Sequence, residues 1–206
     1  MENFNGIIFD KTKTALIVVD MQNAFLHKEG SISQLGLDIE RVIKTIEPVS
    51  KLIKSARAKK LPVIFLKMCL GKDYTDAGIL TDAFPPLKNL GHCVKGSWDS
   101  EIIDELKPEE GEFIVEKSRF SGFYNTNLEI ILRCLNIDTI ITCGIATNVC
   151  LESTVRDAFN RDFQVYVPKE CTASYTEEME KGSFINFEFG FAKIVSLDDV
   201  VNSLLI

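Results

Sequence analysis

The chain has 206 residues, 46% of them hydrophobic and 26% charged, and its 23 Lys and Arg against 30 Asp and Glu leave a net charge of −7. That size fits one domain with a full core, and the composition excludes a disordered chain. The acidic balance, without a run of Lys and Arg, argues against nucleic acid or an anionic membrane surface as the main partner. Met1-Glu-Asn-Phe-Asn-Gly6 lacks a basic segment followed by an apolar one, so no signal peptide is expected. No apolar run approaches the ~20 residues of a membrane span. Six cysteines (69, 93, 134, 143, 150 and 171) are dispersed without a CxxC pair, and are read as reduced thiols of a cytoplasmic protein.

Thr14 to Asp20 is an apolar run closed by a carboxylate, the form of a strand buried on both faces of a parallel sheet. Leu37 to Lys60 carries apolar residues at three- and four-residue steps, a helix that Pro48 should kink or divide. Leu61 to Leu66 is a second strand. From Cys69 to Ser100 glycines and Pro85-Pro86 interrupt the pattern, and a long insertion of this kind is expected to be a lid or a subunit contact. Glu101 to Leu106 is a short turn or strand. Phe113 to Glu116 is the third strand, Thr126 to Leu135 a helix with Thr126 as its N-cap, and Thr139 to Cys143 the fourth strand. A helix follows from about Asn148 to Asn160, then a strand over Phe163 to Val167, a helix from Thr176 to about Phe187, a sixth strand over Ala192 to Val195 and a closing helix over Asp198 to Leu205. Strands alternating with helices predict a single domain over residues 1–206. Its fold class is α/β, a three-layer sandwich around a mainly parallel sheet of about six strands.

Sites on such sheets form beyond the carboxyl ends of the strands. Asp20, Lys117 and Cys150 each follow a predicted strand end. Cys150 is placed in the first turn of a helix, where free N–H groups and the helix dipole are expected to lower its pKa and yield a nucleophile. Asp20 is a candidate general acid–base, and Lys117 can hold both partners as ions. Backbone N–H groups between Ala146 and Cys150 could face an oxyanion. Taken singly, such a cysteine is more often a buried apolar residue and such a lysine a solvated charge.

At these residues the sequence resembles the isochorismatase-like cysteine hydrolases, most closely the ureidoacrylate and biuret amidohydrolase branch. The resemblance runs from Ala15 to about Val195. It is carried by Val18-Val-Asp-Met-Gln-Asn-Ala-Phe25, Lys95-Gly-Ser-Trp-Asp99, Glu116-Lys-Ser-Arg-Phe-Ser-Gly-Phe-Tyr-Asn-Thr126 and Gly144-Ile-Ala-Thr-Asn-Val-Cys-Leu-Glu-Ser-Thr-Val-Arg-Asp157. It implies an Asp20–Lys117–Cys150 catalytic triad, a cis peptide at Ile145–Ala146, and an oxyanion hole made by the Ala146 and Cys150 N–H groups. It further implies substrate contacts from Gln22, Phe25, Phe123, Tyr124 and Asn125, and a homo-oligomer, dimer or tetramer. The implied reaction is hydrolysis of a C–N bond in a small ureido or carbamoyl amide through a thioester, without cofactor. Nicotinamide deamidation, isochorismate-type hydrolysis and a non-catalytic binding member of the fold are the alternatives. Nicotinamidases of this superfamily hold a metal through an Asp and two His after the second strand. Here that stretch has no His, and His27 and His92 are isolated, so no metal is expected. The ureidoacrylate type carries Asn and Trp where this chain has roughly Met68 and Leu70, with an acidic residue retained as Asp76. Glu170 stands at the family's usual Asp after strand five. Trp98 is read as a packing or interface anchor, and Glu152 with Arg156 as an i,i+4 helix pair.

Overall fold

A computed structural model describes residues 8–205. The elements in chain order are β1 (Thr14–Val19), α1 (Asn23–Leu26), α2 (Ser31–Gln34), α3 (Glu40–Ile43), α4 (Ile46–Ala58), β2 (Val63–Met68), α5 (Leu80–Ala83), α6 (Pro86–Asn89), β3 (Phe113–Lys117), α7 (Leu128–Cys134) and β4 (Thr139–Ile145). A π-helical turn (Thr147–Leu151) leads into α8 (Glu152–Phe159), followed by β5 (Gln164–Pro168), β6 (Thr172–Ala173), α9 (Glu177–Asn186), a second π turn (Phe187–Phe191), β7 (Lys193–Val195) and α10 (Leu197–Leu205). The sheet runs β3-β2-β1-β4-β5-β7, with β6 beside the end of β4, and every named pair is parallel. Helices cover both faces. The expected three-layer sandwich is therefore present, with a seventh, two-residue strand that is too short to leave a pattern in the sequence.

β1 and β2 are buried at all six positions, which explains their unbroken apolar runs. β3 lies at the edge and exposes Phe113 and Ile114. The expected long helix is two helices. Pro48 is the third residue of α4, in the first turn, where a missing N–H costs no intrahelical bond. The proline thus sits in the opening turn of α4 rather than at a kink. α4 buries Val49, Leu52, Ile53 and Ala56, one face of the helix. Thr126 is not the cap of α7: Asn127 holds that position, and the Thr126 hydroxyl accepts from Leu128 N while donating to Gly122 O. Residues 69–100 contain α5, α6 and a 3-10 turn at Trp98–Ser100. Trp98 stands 48% exposed, its ring edge-on to His27. Glu152 and Arg156 pair on α8, and Glu152 also accepts from Ser183 and Asn186.

At the close of β4, Gly144 pairs with Val19 and has φ +110, and a Cβ there would lie 2.0 Å from the Val19 carbonyl oxygen. Only glycine lets the two central strands approach at this point. Gly144→Ala is expected to cost about 3 kcal/mol or more, read as a lowered denaturation midpoint. An unchanged midpoint would refute the close approach.

Candidate active site

The three strand-end residues converge. Asp20 leaves β1 with φ +50, a left-handed conformation that Asp tolerates better than most residues. Its N–H donates to Leu66 O, and its carbonyl accepts from Gln22 N. Lys117, the last residue of β3, donates from Nζ to Asp20 Oδ2 at 2.8 Å and to Arg119 O at 3.1 Å. Both side chains are inaccessible, 0% for Lys117 and 1% for Asp20. The second carboxylate oxygen, Asp20 Oδ1, is buried, and among the described residues no hydrogen-bond donor reaches it. The Cys150 thiol lies beside both Asp20 and Lys117 and interacts with each.

The electrostatics reverse one expectation. Burial pushes the Cys150 thiol well above the ordinary 9.0, the Asp20 carboxylate pushes the same way, and Lys117 opposes both. A helix start therefore does not lower this pKa: desolvation and an adjacent negative charge outweigh the dipole. For Lys117, burial favours the neutral amine, but Asp20 and Cys150 outweigh it and hold the ammonium above its ordinary value. The resting arrangement is an ammonium–carboxylate pair beside a protonated thiol.

Cys150 lies in the π turn, one turn before α8 proper. Val149 N and Leu151 N both donate to Ala146 O, and Asn148 N donates to Ser174 Oγ. These bonds occupy the Asn148, Val149 and Leu151 amides of the turn. Thr154 Oγ1 donates to the Cys150 carbonyl and accepts from Gly122 N, tying the turn to the segment after β3. The Ile145–Ala146 peptide is cis, as the resemblance implied.

Cys150 and Ala146 open on a cavity of about 330 Å³. Its wall includes Phe25, Met68, Leu80, Phe84, His92, Phe120, Asn148 and Tyr175. A cavity of about 1080 Å³ between α4 and α10 is larger, but no triad residue lines it. Burial first, then the charges of Cys150 and Asp20, keep the Tyr175 phenol protonated.

Of the expected substrate contacts, Phe25 lines the cavity. Gln22 does not: its amide donates to Met68 O and Ser100 O and accepts from Met68 N, each at 2.8 Å, clamping the ends of β1 and β2 to the 97–100 turn. Phe123 is buried against Phe163 under the Arg161 guanidinium. Tyr124 lines an adjoining groove with Arg119, and Asn125 occupies an exposed left-handed turn lining neither. Met68 reaches the cavity, whereas Leu70 is buried and bridges Val94. Asp76 accepts from Gly71 N in its own loop. Sequence reasoning missed His92, Asn148 and Tyr175. The 69–100 segment, read as lid or interface, supplies Leu80, Phe84, Leu87 and His92 to the cavity wall.

His92 is also not isolated. Among the described residues, His92, Cys93 and Asp99 bring one ligand atom each within 4.8 Å of one another. Two of these atoms are already engaged: Ser31 Oγ lies 2.6 Å from His92 Nδ1 and 2.8 Å from Asp99 Oδ2, which also accepts from Cys93 N. A cation there would have to break this network.

In this parallel α/β sheet, with an Asp, a Lys and a Cys meeting at its carboxyl edge, residues 14–199 match the isochorismatase domain. The chain belongs to the isochorismatase family and is a hydrolase of non-peptide C–N bonds. It is 35% identical over 205 residues to the ureidoacrylate amidohydrolase RutB of Methylorubrum extorquens AM1, covering 92% of this chain and 83% of that one. It is 34% identical to RutB of Agrobacterium fabrum, covering 94% and 90%. Among solved structures it resembles a cysteine hydrolase from Pseudomonas syringae pv. phaseolicola 1448A, with a TM-score of 0.88, 28% identity and 97% and 95% coverage. It also resembles N-carbamoylsarcosine amidase from Thermoplasma acidophilum, with a TM-score of 0.74, 31% identity and 90% and 97% coverage. Among the described residues no helix is long and apolar enough to cross a membrane.

Proposed function

We propose that the chain is a cysteine-dependent amidohydrolase that cleaves the C–N bond of a small ureido or carbamoyl compound through a thioester on Cys150. The observation carrying this reading is the unpartnered, buried Asp20 Oδ1 beside a protonated thiol, with Lys117 holding the other carboxylate oxygen. The Cys150 sulfur attacks the substrate carbonyl carbon as its proton passes to Asp20 Oδ1. Lys117 stabilises the sulfur as negative charge develops there. The carbonyl oxygen, becoming an oxyanion, takes hydrogen bonds from the Ala146 and Cys150 amides. Asp20 then returns the proton to the leaving nitrogen, the C–N bond breaks, and ammonia or an amine departs. Water adds to the thioester with Asp20 again as base, the C–S bond breaks and the thiol is restored. The names of the relatives, ureidoacrylate amidohydrolase and N-carbamoylsarcosine amidase, support the ureido and carbamoyl substrate class.

Intact-mass spectrometry during turnover of ureidoacrylate, biuret and N-carbamoyl compounds tests this. An acyl adduct is expected on the wild-type chain and not on Cys150→Ala, with ammonia release from the variant reduced to background. Equal ammonia release from the two proteins would remove Cys150 from the mechanism.

A further inference from the structure

We propose that the cavity selects an uncharged carbamoyl or ureido amide carrying an apolar group, with His92 as the specificity-determining acceptor of a substrate N–H. This rests on the amidohydrolase reading and narrows its substrate.

Among the described residues, no Asp, Glu, Lys or Arg lines the cavity. Lys117 and Asp20 lie beneath Cys150 and neutralise one another. A substrate carboxylate entering this space would leave water without gaining a counter-charge, a cost that a neutral amide avoids. Arg119 lines the adjoining groove, which shares Leu80, Phe84 and Phe120 with the cavity, so its charge serves a group lying in that groove and not one enclosed by the cavity wall; its Nη1 donates to the carbonyls of Asp76 and Ser118. Phe25, Ile32, Leu35 and Leu37 offer instead a surface for an apolar substituent.

His92 is the ring placed to orient such a ligand. It is 3% exposed, lies edge-on to Phe25 and forms part of the wall. Asp99 accepts from Ser31 N, Ser31 Oγ and Cys93 N. The Ser31 hydroxyl has one proton and gives it to Asp99, so its oxygen must accept from His92 Nδ1–H. That assignment leaves Nε2 unprotonated, and among the described residues no protein group bonds it. Burial pulls the ring down to about 4 against the attraction of Asp99, with Lys117 adding to the fall, so imidazole is neutral at pH 7. A neutral ring fixed in this tautomer accepts and cannot donate. It can bond an amide N–H and reject a carbonyl or carboxylate at the same place.

Matched probes separate these elements: ureidoacrylate, its methyl ester, and the ester methylated at the internal nitrogen. Wild-type kcat/KM is expected to be at least ~10-fold higher for the ester than for the anion. His92→Leu should lower kcat/KM for the ester by roughly 3- to 10-fold, the range of one hydrogen bond, and leave the N-methyl ester nearly unchanged. Ser31→Ala, which frees the tautomer, should narrow the same discrimination and serves if His92→Leu does not fold. Preference for the anion would overturn the neutral-substrate inference while the Cys150 adduct kept the amidohydrolase reading intact. Equal losses on both esters in both variants would reduce His92 to a packing residue and overturn its role. Absence of any adduct with all three probes would sink both readings.

Discussion

Lys117→Met is expected to lose activity and about 3–5 kcal/mol of stability together. The Lys117 ammonium and Asp20 carboxylate are both inaccessible and 2.8 Å apart. Removing the cation strands a carboxylate away from water, and breaking one side of a buried pair costs far more than the pair contributes net. Denaturant unfolding of the single variant and of Lys117→Met/Asp20→Asn forms the decisive comparison. The double variant removes both charges and should recover much of the lost stability while remaining inactive, a strongly non-additive cycle. If Lys117→Met is as stable as wild type, the buried pair is not ionised in the resting protein, and the assignment of Asp20 as a ready base falls with it.

Asp20→Asn should cost roughly 10²–10⁴-fold in kcat, the range for loss of a general base, and should change the shape of the pH profile. In the wild type the thiol is held above 9.0 and Lys117 above 10.5. Both therefore keep their protons from neutral pH past the ordinary thiol value, and no limb is expected in kcat near pH 9. The proton moves from Cys150 to Asp20 within the site and leaves its net charge unchanged. Without Asp20 the sulfur must lose its proton to solvent, so residual activity should climb with pH, about tenfold per unit, towards the alkaline end. A wild-type limb near 9 would mean that the thiol titrates at its ordinary value and that the resting site is not held as described.

The strands and their parallel arrangement are legible because apolar runs leave a local mark, and the meeting of Asp20, Lys117 and Cys150 follows from each standing at or just past a strand end. What failed was information held between distant segments. Gln22 follows β1 and reads as a pocket residue, yet its amide is exhausted by Met68 and Ser100, 46 and 78 residues away. His92 stood alone in the sequence because Ser31, 61 residues earlier, completes its network. The pKa of Cys150 was misjudged in sign for the same reason. Position on a helix is local, whereas burial and the Asp20 charge come from the tertiary fold. The helix divides, as Pro48 implies, but the break falls at residues 44–45, ahead of the proline, which stands in the first turn of α4.

Lys117 and Asp20 do not come from neighbouring strands. β2 lies between β1 and β3, so the two chain positions are separated by two strand spacings, about 10 Å. The sheet thus acts as a ruler, and lysine is the cation whose slender, extended stem can be laid across the end of β2 to touch the far carboxylate. A shorter side chain at position 117 would fall short. Strand order and the length of one side chain are therefore a matched pair. Insertion or loss of a strand at this edge of the sheet would strip the site of its charge balance even if all three reactive residues were kept.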